Sequence, residues 1–341
     1  MPFNCFPCHK TCIRHFCCIG IRMASTIVGK SGRVYVRSEV LQHRKDPKLS
    51  IFKAESQDQS FVVKRVSRPF LNLSLRLAAE FSASRRLRMH VDCNEEELIL
   101  VYPYYKTTLL DLIREDPNIS DKARKTILRH TGEAIQELHS KDWIHIDIKP
   151  DNILVDCTCN EDNAKTVTNV ALGDFDIAFK LEKGALLQTP HAIGNAMWRS
   201  PEGQTGRGVT KASDIFSFGL VVSCALPCLS VLSKRSTLSF CVQCIYALGA
   251  GEVLLINNYQ ELVELGMSAE QEILVRHFSY FGPANDGLFK QVADEDWSNA
   301  LMAASQMAKV AVEDQPELRF ELWGQELGSE AQKIDIWNDK A

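Results

Sequence analysis

The sequence predicts an α+β chain, a small strand-rich part followed by a larger helical part. Three observations lead there. Between Val34 and Val66, the segments VYV (34–36), LSIFKAE (49–55) and SFVVKRV (60–66) alternate or cluster β-branched and aromatic residues, separated by polar turns. Farther on, Ile127, Ala134, Ile135 and Leu138 recur as a helical stripe, and helical stretches continue after Leu254. Joining the two is WIHIDIKPDNILV (143–155), in which Ile144, Ile146 and Ile148 alternate with His145, Asp147 and Lys149. Pro150 and Asp151 bend the backbone there, so Asp147, Lys149 and Asn152 can converge on one point.

Composition bounds the rest. At 341 residues the chain holds one large or two ordinary domains, and 45% hydrophobic with 24% charged residues is a globular balance. A net charge of −4 gives no electrostatic reason to expect nucleic acid as a partner. Of twelve cysteines, five fall in the first 18 residues and four between Cys224 and Cys244, so no disulfide framework spreads through the centre. A reduced, intracellular domain is the expectation, with no membrane association. Residues 1–22 lack the long apolar run and small-residue cleavage site of a secretory signal. Cys5, Cys8, His9, Cys12, His15, Cys17 and Cys18 are zinc-ligand types, but only Cys5 and Cys8 have ligand-like spacing. A disordered tail, or a start placed upstream of a genuine Met23, is the preferred reading.

In chain order, ASTIVGKS (24–31) matches a loose phosphate-loop pattern. Arg33-Val34-Tyr35-Val36 follows as a strand rather than a helix, which excludes the match. After the strands of 34–66, a helix is expected over about 71–89, with Leu73, Leu77, Phe81 and Leu87 near one face and Glu80 as its one acid. LILVYPYY (98–105) reads as a buried strand that Pro103 turns into a connector. Helices follow over 109–114 and 123–139, and later over 260–265, 269–278 and 297–313.

The stretch from 143 to 155 resembles the catalytic loop of the eukaryotic protein kinases, HRDxKxxN. Here it stands as His145, Ile146, Asp147, Lys149 and Asn152, with Ile146 in place of the Arg. Other segments resemble the family in the expected order. Asp174 and Phe175 in LGDFDIAF match two residues of the DFG motif, Ser200-Pro201-Glu202 stands for APE, and Asp214 and Gly219 in SDIFSFG match the helix that supports the catalytic loop. The resemblance covers about residues 30–320, and the wording is nearest to a divergent group of fungal kinase-like proteins. It implies a two-lobed protein-kinase-like fold, with a β-rich amino lobe and hinge over 23–105 and a helical carboxyl lobe over 106–330, and a tail over 331–341. It implies ATP and Mg2+ as cofactors and a protein serine or threonine hydroxyl as acceptor. Asp147 would take the hydroxyl proton, Lys149 would offset charge on the phosphoryl group, and Asn152 with Asp174 would hold magnesium. Lys64, paired with Glu80, would grip the nucleotide phosphates. A solvated turn, in which Asp147 and Asn152 only satisfy nearby backbone groups, is the structural alternative.

Departures are as informative. No GxGxxG precedes Ile51, and the turn that would cover the phosphates is QHRKDPK (42–48), whose side chains obstruct close backbone approach. Asp176 replaces the usual DFG glycine. Glu202 with Arg319 is a possible buried pair, and a surface arginine is the alternative. The apolar helix of FGLV (218–221) is interrupted by 222–243, containing Pro227; deleting those residues joins it to CIYALG. Translated intron sequence comes first, ahead of a surface loop or a marginal membrane span over 215–232 that Asp214 disfavours. The alternatives to a protein kinase are a pseudokinase that binds without turnover and a small-molecule kinase.

Overall fold

Alternation in the first hundred residues becomes one six-stranded antiparallel sheet, ordered β1-β2-β3-β4-β6-β5. Its strands are β1 (Thr26–Val28), β2 (Val34–Gln42), β3 (Ile51–Ser56), β4 (Gln59–Arg65), β5 (Asp92–Asn94) and β6 (Ile99–Pro103). The computed structural model describes residues 26–116, 119–159, 165–223, 264, 266, 268–319 and 322. Period-two alternation turns Ile27, Tyr35, Ala54, Phe61, Val63, Ile99 and Val101 inward as one apolar cluster. Beyond β1, the Lys30 amide donates to the Cys93 carbonyl and Asn94 Nδ2 to the Val28 carbonyl. Those bonds tie the two outer strands together, so the sheet curls and covers its own edges. Gly29, Lys30 and Ser31 are therefore a hairpin turn running into β2, with no helix behind them.

Helix α1 (Arg68–Phe81) starts where Ser67 Oγ accepts from the Phe70 amide and Pro69 fills the first turn. It stops eight residues short of the expected 89. Ser84 Oγ accepts from the Arg86 and Leu87 amides, turning the chain, and Leu87 then bridges Leu172. Leu71, Ser74, Leu77 and Phe81 form the buried face of α1.

The second lobe is largely helical: α2 (Leu109–Glu115), α3 (Asp121–Ser140), α4 (Pro201–Thr205), α5 (Lys211–Ser223), α6 (Ala269–Phe281), α7 (Asp286–Val292) and α8 (Glu295–Asp314). It also holds short strands: β7 (Thr107–Thr108), β8 (Trp143–Ile144), β9 (Ile153–Cys159), β10 (Lys165–Leu172), β11 (Phe179–Lys180), β12 (Leu187–Gln188) and β13 (Arg207–Val209). β10, β9 and β7 form one small sheet, β11 pairs with β8, and β12 pairs with β13. Ile127, Ile135 and Leu138 of α3 pack with Trp143, Ile148, Ile153, Phe175 and Phe218. Leu77 and Phe81 of α1 belong to this same core, so α1 is anchored below as well as above. A separate cluster joins Leu274 and Phe278 of α6 to Val292, Leu301, Ala304 and Ala308. No helix among the described residues is long and apolar enough to cross a membrane.

The two-lobed α+β architecture is the expected one. The expected tails 1–22 and 331–341 lie outside the described residues, as does the expected insertion 222–243 apart from its first two residues, which end α5, and nearly all of the helix expected at 260–265.

Candidate active site

The loop between β8 and β9 is held from beneath by one buried carboxylate. Asp214, on the first turn of α5, accepts from the His145 amide through Oδ2 and from the Ile146 amide through Oδ1, both at 2.8 Å. His139 Nε2 also lies 2.8 Å from Oδ2, and Asp214 is 1% exposed. Charge-assisted bonds of this kind are about twice as strong as neutral ones, which explains how Ile146 is kept at φ +70°. His145 fixes the next turn. Its Nδ1 accepts from the Asp147 amide, so Nε2 carries the proton and donates to the Gly173 carbonyl at 2.9 Å. Its ring also meets Phe175, with centroids 4.8 Å apart. The Gly173 amide donates back to the Asn152 carbonyl. Two loops separated by more than twenty residues are thereby stitched together directly in front of Asp174.

Asp147, Lys149 and Asn152 form one cluster. Lys149 Nζ lies 2.6 Å from Asp147 Oδ2, and Asn152 Nδ2 donates to that same oxygen at 3.0 Å and to the Asp147 carbonyl at 2.7 Å. The Asn195 amide donates to Oδ1 at 3.1 Å. The carboxylate is thus fixed in direction. Asn152 donates through its nitrogen, which leaves Oδ1 as an oxygen donor for a hard cation. Asp174, held at φ +63°, gives Oδ1 to Lys64 and keeps Oδ2. Asn152 and Asp174 are an oxygen set that suits magnesium, whose remaining positions normally fall to phosphate and water.

Lys64 points into this site from β4. Its Nζ lies 2.8 Å from Asp174 Oδ1 and 2.8 Å from both carboxylate oxygens of Asp176. Burial works against the Lys64 charge, but the two acids outweigh it and raise its pKa. Burial likewise opposes the Asp174 charge, yet Lys64 holds that carboxyl below the usual range; burial and the Asp174 charge push Asp176 above it.

The expected partnership of Lys64 with Glu80 is corrected. Both Glu80 carboxylate oxygens lie 2.8 Å from Lys180 Nζ, and Trp143 Nε1 donates to Oε2 at 3.0 Å. Glu80 sits too far along α1 and on another face, so it docks the helix onto the lower lobe instead. The Glu202–Arg319 pair is not formed either. Glu202 accepts from Ser213 Oγ at 2.5 Å, and Arg319 donates to the Phe278 carbonyl. Sequence reasoning missed Arg88, whose Nε and Nη2 both donate to the Pro103 carbonyl on the connector, at 2.9 and 2.6 Å. Burial lowers the Arg88 pKa to about 10.

The turn between β2 and β3, expected to cover the phosphates, contains a short 3-10 turn (Pro47–Leu49) capped by Asp46 in place of glycines.

Comparison with known proteins places these residues in a family. A protein kinase domain matches residues 54–249, more than half of the chain. The L-type lectin-domain containing receptor kinase SIT1 of Oryza sativa is 37% identical over 132 residues, 36% of this chain and 18% of that protein. The serine/threonine-protein kinase PrkC of Bacillus subtilis is 31% identical over 134 residues, 38% of this chain and 19% of that protein. The chain therefore spans about a fifth of each relative's length. The yeast RNA Pol II CTD kinase CTDK-1 complex, a solved structure, aligns with a TM-score of 0.44 at 16% identity, over 65% of this chain and 64% of that one. The motif order, the fold and the domain match agree, and the chain belongs to the protein kinase domain family.

Proposed function

We propose that the chain is an ATP-dependent protein serine/threonine kinase, and that the hydrogen-bonded cluster of Asp147, Lys149 and Asn152 is its catalytic centre. The observation that carries this is the orientation of Asp147, whose carboxylate is fixed by Lys149, Asn152 and the Asn195 amide. Asp147 then accepts the proton of an incoming hydroxyl, while Lys149, already beside it, offsets charge on the transferred group. Asn152 and Asp174 would hold magnesium, which supplies charge stabilisation to the phosphate oxygens. Lys64 would position those phosphates. The lysine two places after Asp147 favours serine or threonine as the acceptor. Intracellular location and protein substrates belong to the same proposal.

The test is transfer of radiolabelled phosphate from ATP to casein by the full chain, beside Asp147→Asn. A general base contributes about 10²–10⁴-fold, so the variant should fall by that order with its melting temperature preserved. Equal labelling by both proteins would remove the catalytic assignment and leave a binding module.

A further inference from the structure

We infer that Asp176 is the residue that positions Lys64, a task moved from helix α1 to the loop that follows β10. This rests on the kinase reading for its consequence in catalysis, but its structural part stands alone. Lys64 Nζ makes contacts of 2.8 Å with both oxygens of Asp176, in addition to the one with Asp174. A lysine that shared only Asp174 would be held by the carboxylate assigned to magnesium. Asp176 gives it an anchor of its own.

The helix cannot supply that anchor. The part of α1 that faces Lys64 carries Phe70, whose ring centroid lies 5.1 Å from Nζ. One turn on is Ser74, 6% exposed, with Oγ bonded to His90 Nδ1 at 2.9 Å. No acid stands on this face. Glu80, six residues beyond Ser74, is displaced about 120° around the helix and about 9 Å along it. Turning α1 to bring Glu80 over would pull Leu71, Leu77 and Phe81 out of the core, and Glu80 would have to leave Lys180 and Trp143. Asp176, by contrast, occupies its place without backbone strain. The left-handed residue in this segment is Asp174, at φ +63°, and Asp176 is not among the residues with positive φ. A side chain is therefore accommodated where a glycine would leave Lys64 short of a partner.

A carboxylate at this position has an opposite reading, a latch that keeps Lys64 away from phosphates, and the experiment separates the two. In the full chain, Asp176→Asn, Asp176→Gly, Ser74→Glu and the double variant Asp176→Gly/Ser74→Glu are compared with wild type. Two readouts are used: affinity for a non-hydrolysable ATP analogue with magnesium, and KM for ATP in phosphate transfer. Either single change at Asp176 should weaken both by about tenfold, the loss expected of one charge-assisted contact, with kcat less affected. Ser74→Glu should restore much of the loss in the glycine background. Tighter binding or faster transfer in Asp176→Asn would establish the latch and overturn the proposal, and so would unchanged values. Independently of nucleotide, the rate at which an amine-directed acylating reagent labels Lys64 should rise several-fold in Asp176→Asn and stay level in Glu80→Gln. The reverse pattern would also overturn it. Failure of the Asp147→Asn test with this labelling result intact would sink the kinase reading alone.

Discussion

Ile146 shows how single residues are held in this site against their own preference. At φ +70° a β-branched residue costs about 1–2 kcal/mol, which glycine would recover. Its side chain, however, is 5% exposed and packs with Ile144, Leu181, Leu187 and Val209, and losing such a contact costs about 2–5 kcal/mol. Burial wins, so Ile146→Gly should lower stability by about 2 kcal/mol in denaturant titration, despite the relieved backbone. Asp214 is held in the reverse sense, by three donors around one carboxylate. Asparagine offers one acceptor oxygen and would turn its own NH2 toward a donor. Asp214→Asn should therefore cost about 2–3 kcal/mol and slow phosphate transfer in the molecules that still fold. Asp147, Lys149 and Asn152 were legible because they sit within six residues of each other around a turn. The partner of Lys64 was not, because choosing it requires the phase of α1. That phase is set by Phe70, whose ring lies against Lys64, and Glu80 is ten residues, about 15 Å, farther along the helix.

Among the elements, the segment running from β11 to α4 departs most from what the motifs imply. An arginine before Asp147 would serve to hold a phosphate on this segment, and Ile146 stands there instead. Ile146 joins the segment to the catalytic loop through apolar contact with Leu181, Leu187 and Val209, so the segment is ordered without added charge. The threonines within reach are already engaged. Thr189 Oγ1 donates toward the His191 and Gly206 carbonyls, and Thr205 is fully buried with its hydroxyl on the Glu202 carbonyl. Transfer activity should thus be independent of phosphorylation. Phosphatase-treated protein and the Thr189→Ala variant should match the untreated chain in specific activity, and a large loss in either would show a required phosphate. The boundary of α1 failed for a related reason. The apolar spacing of Leu77, Phe81 and Leu87 continues past the helix, but Ser84 turns the chain and sends Leu87 to Leu172. Periodicity reports which residues are buried, and not whether the backbone between them remains helical.

At the scale of the whole molecule, the two lobes were legible because strand and helix periods segregate along the chain. The pieces that escaped are short or depend on long-range packing, such as α7, started by Asn285 after the Gly282-Pro283 turn. One buried group should couple the entire fold to acid. His277 on α6 lies within the lower lobe, edge-on to Phe216 of α5 with centroids 5.2 Å apart, and neither ring nitrogen has a hydrogen-bond partner among the described residues. Burial, with the Arg199 charge nearby adding to it, lowers its pKa from 6.5 to about 3. The folded state therefore binds fewer protons than the unfolded chain between those values. Stability is complete above pH 6.5 and falls as the pH drops toward 3, by about 3 kcal/mol at pH 4 from this residue alone. The raised pKa of Asp176 acts in the opposite direction, because folding there favours proton uptake, but its burial is less complete and its partner Lys64 moderates it. Replacing His277 by leucine separates the two contributions. His277→Leu should leave stability at pH 7.5 equal or higher, since no hydrogen bond to a described residue is lost, and should flatten the decline between pH 6.5 and 4 in urea titrations. An undiminished slope in that variant would mean that other groups, and not this histidine, set the acid limit of the fold.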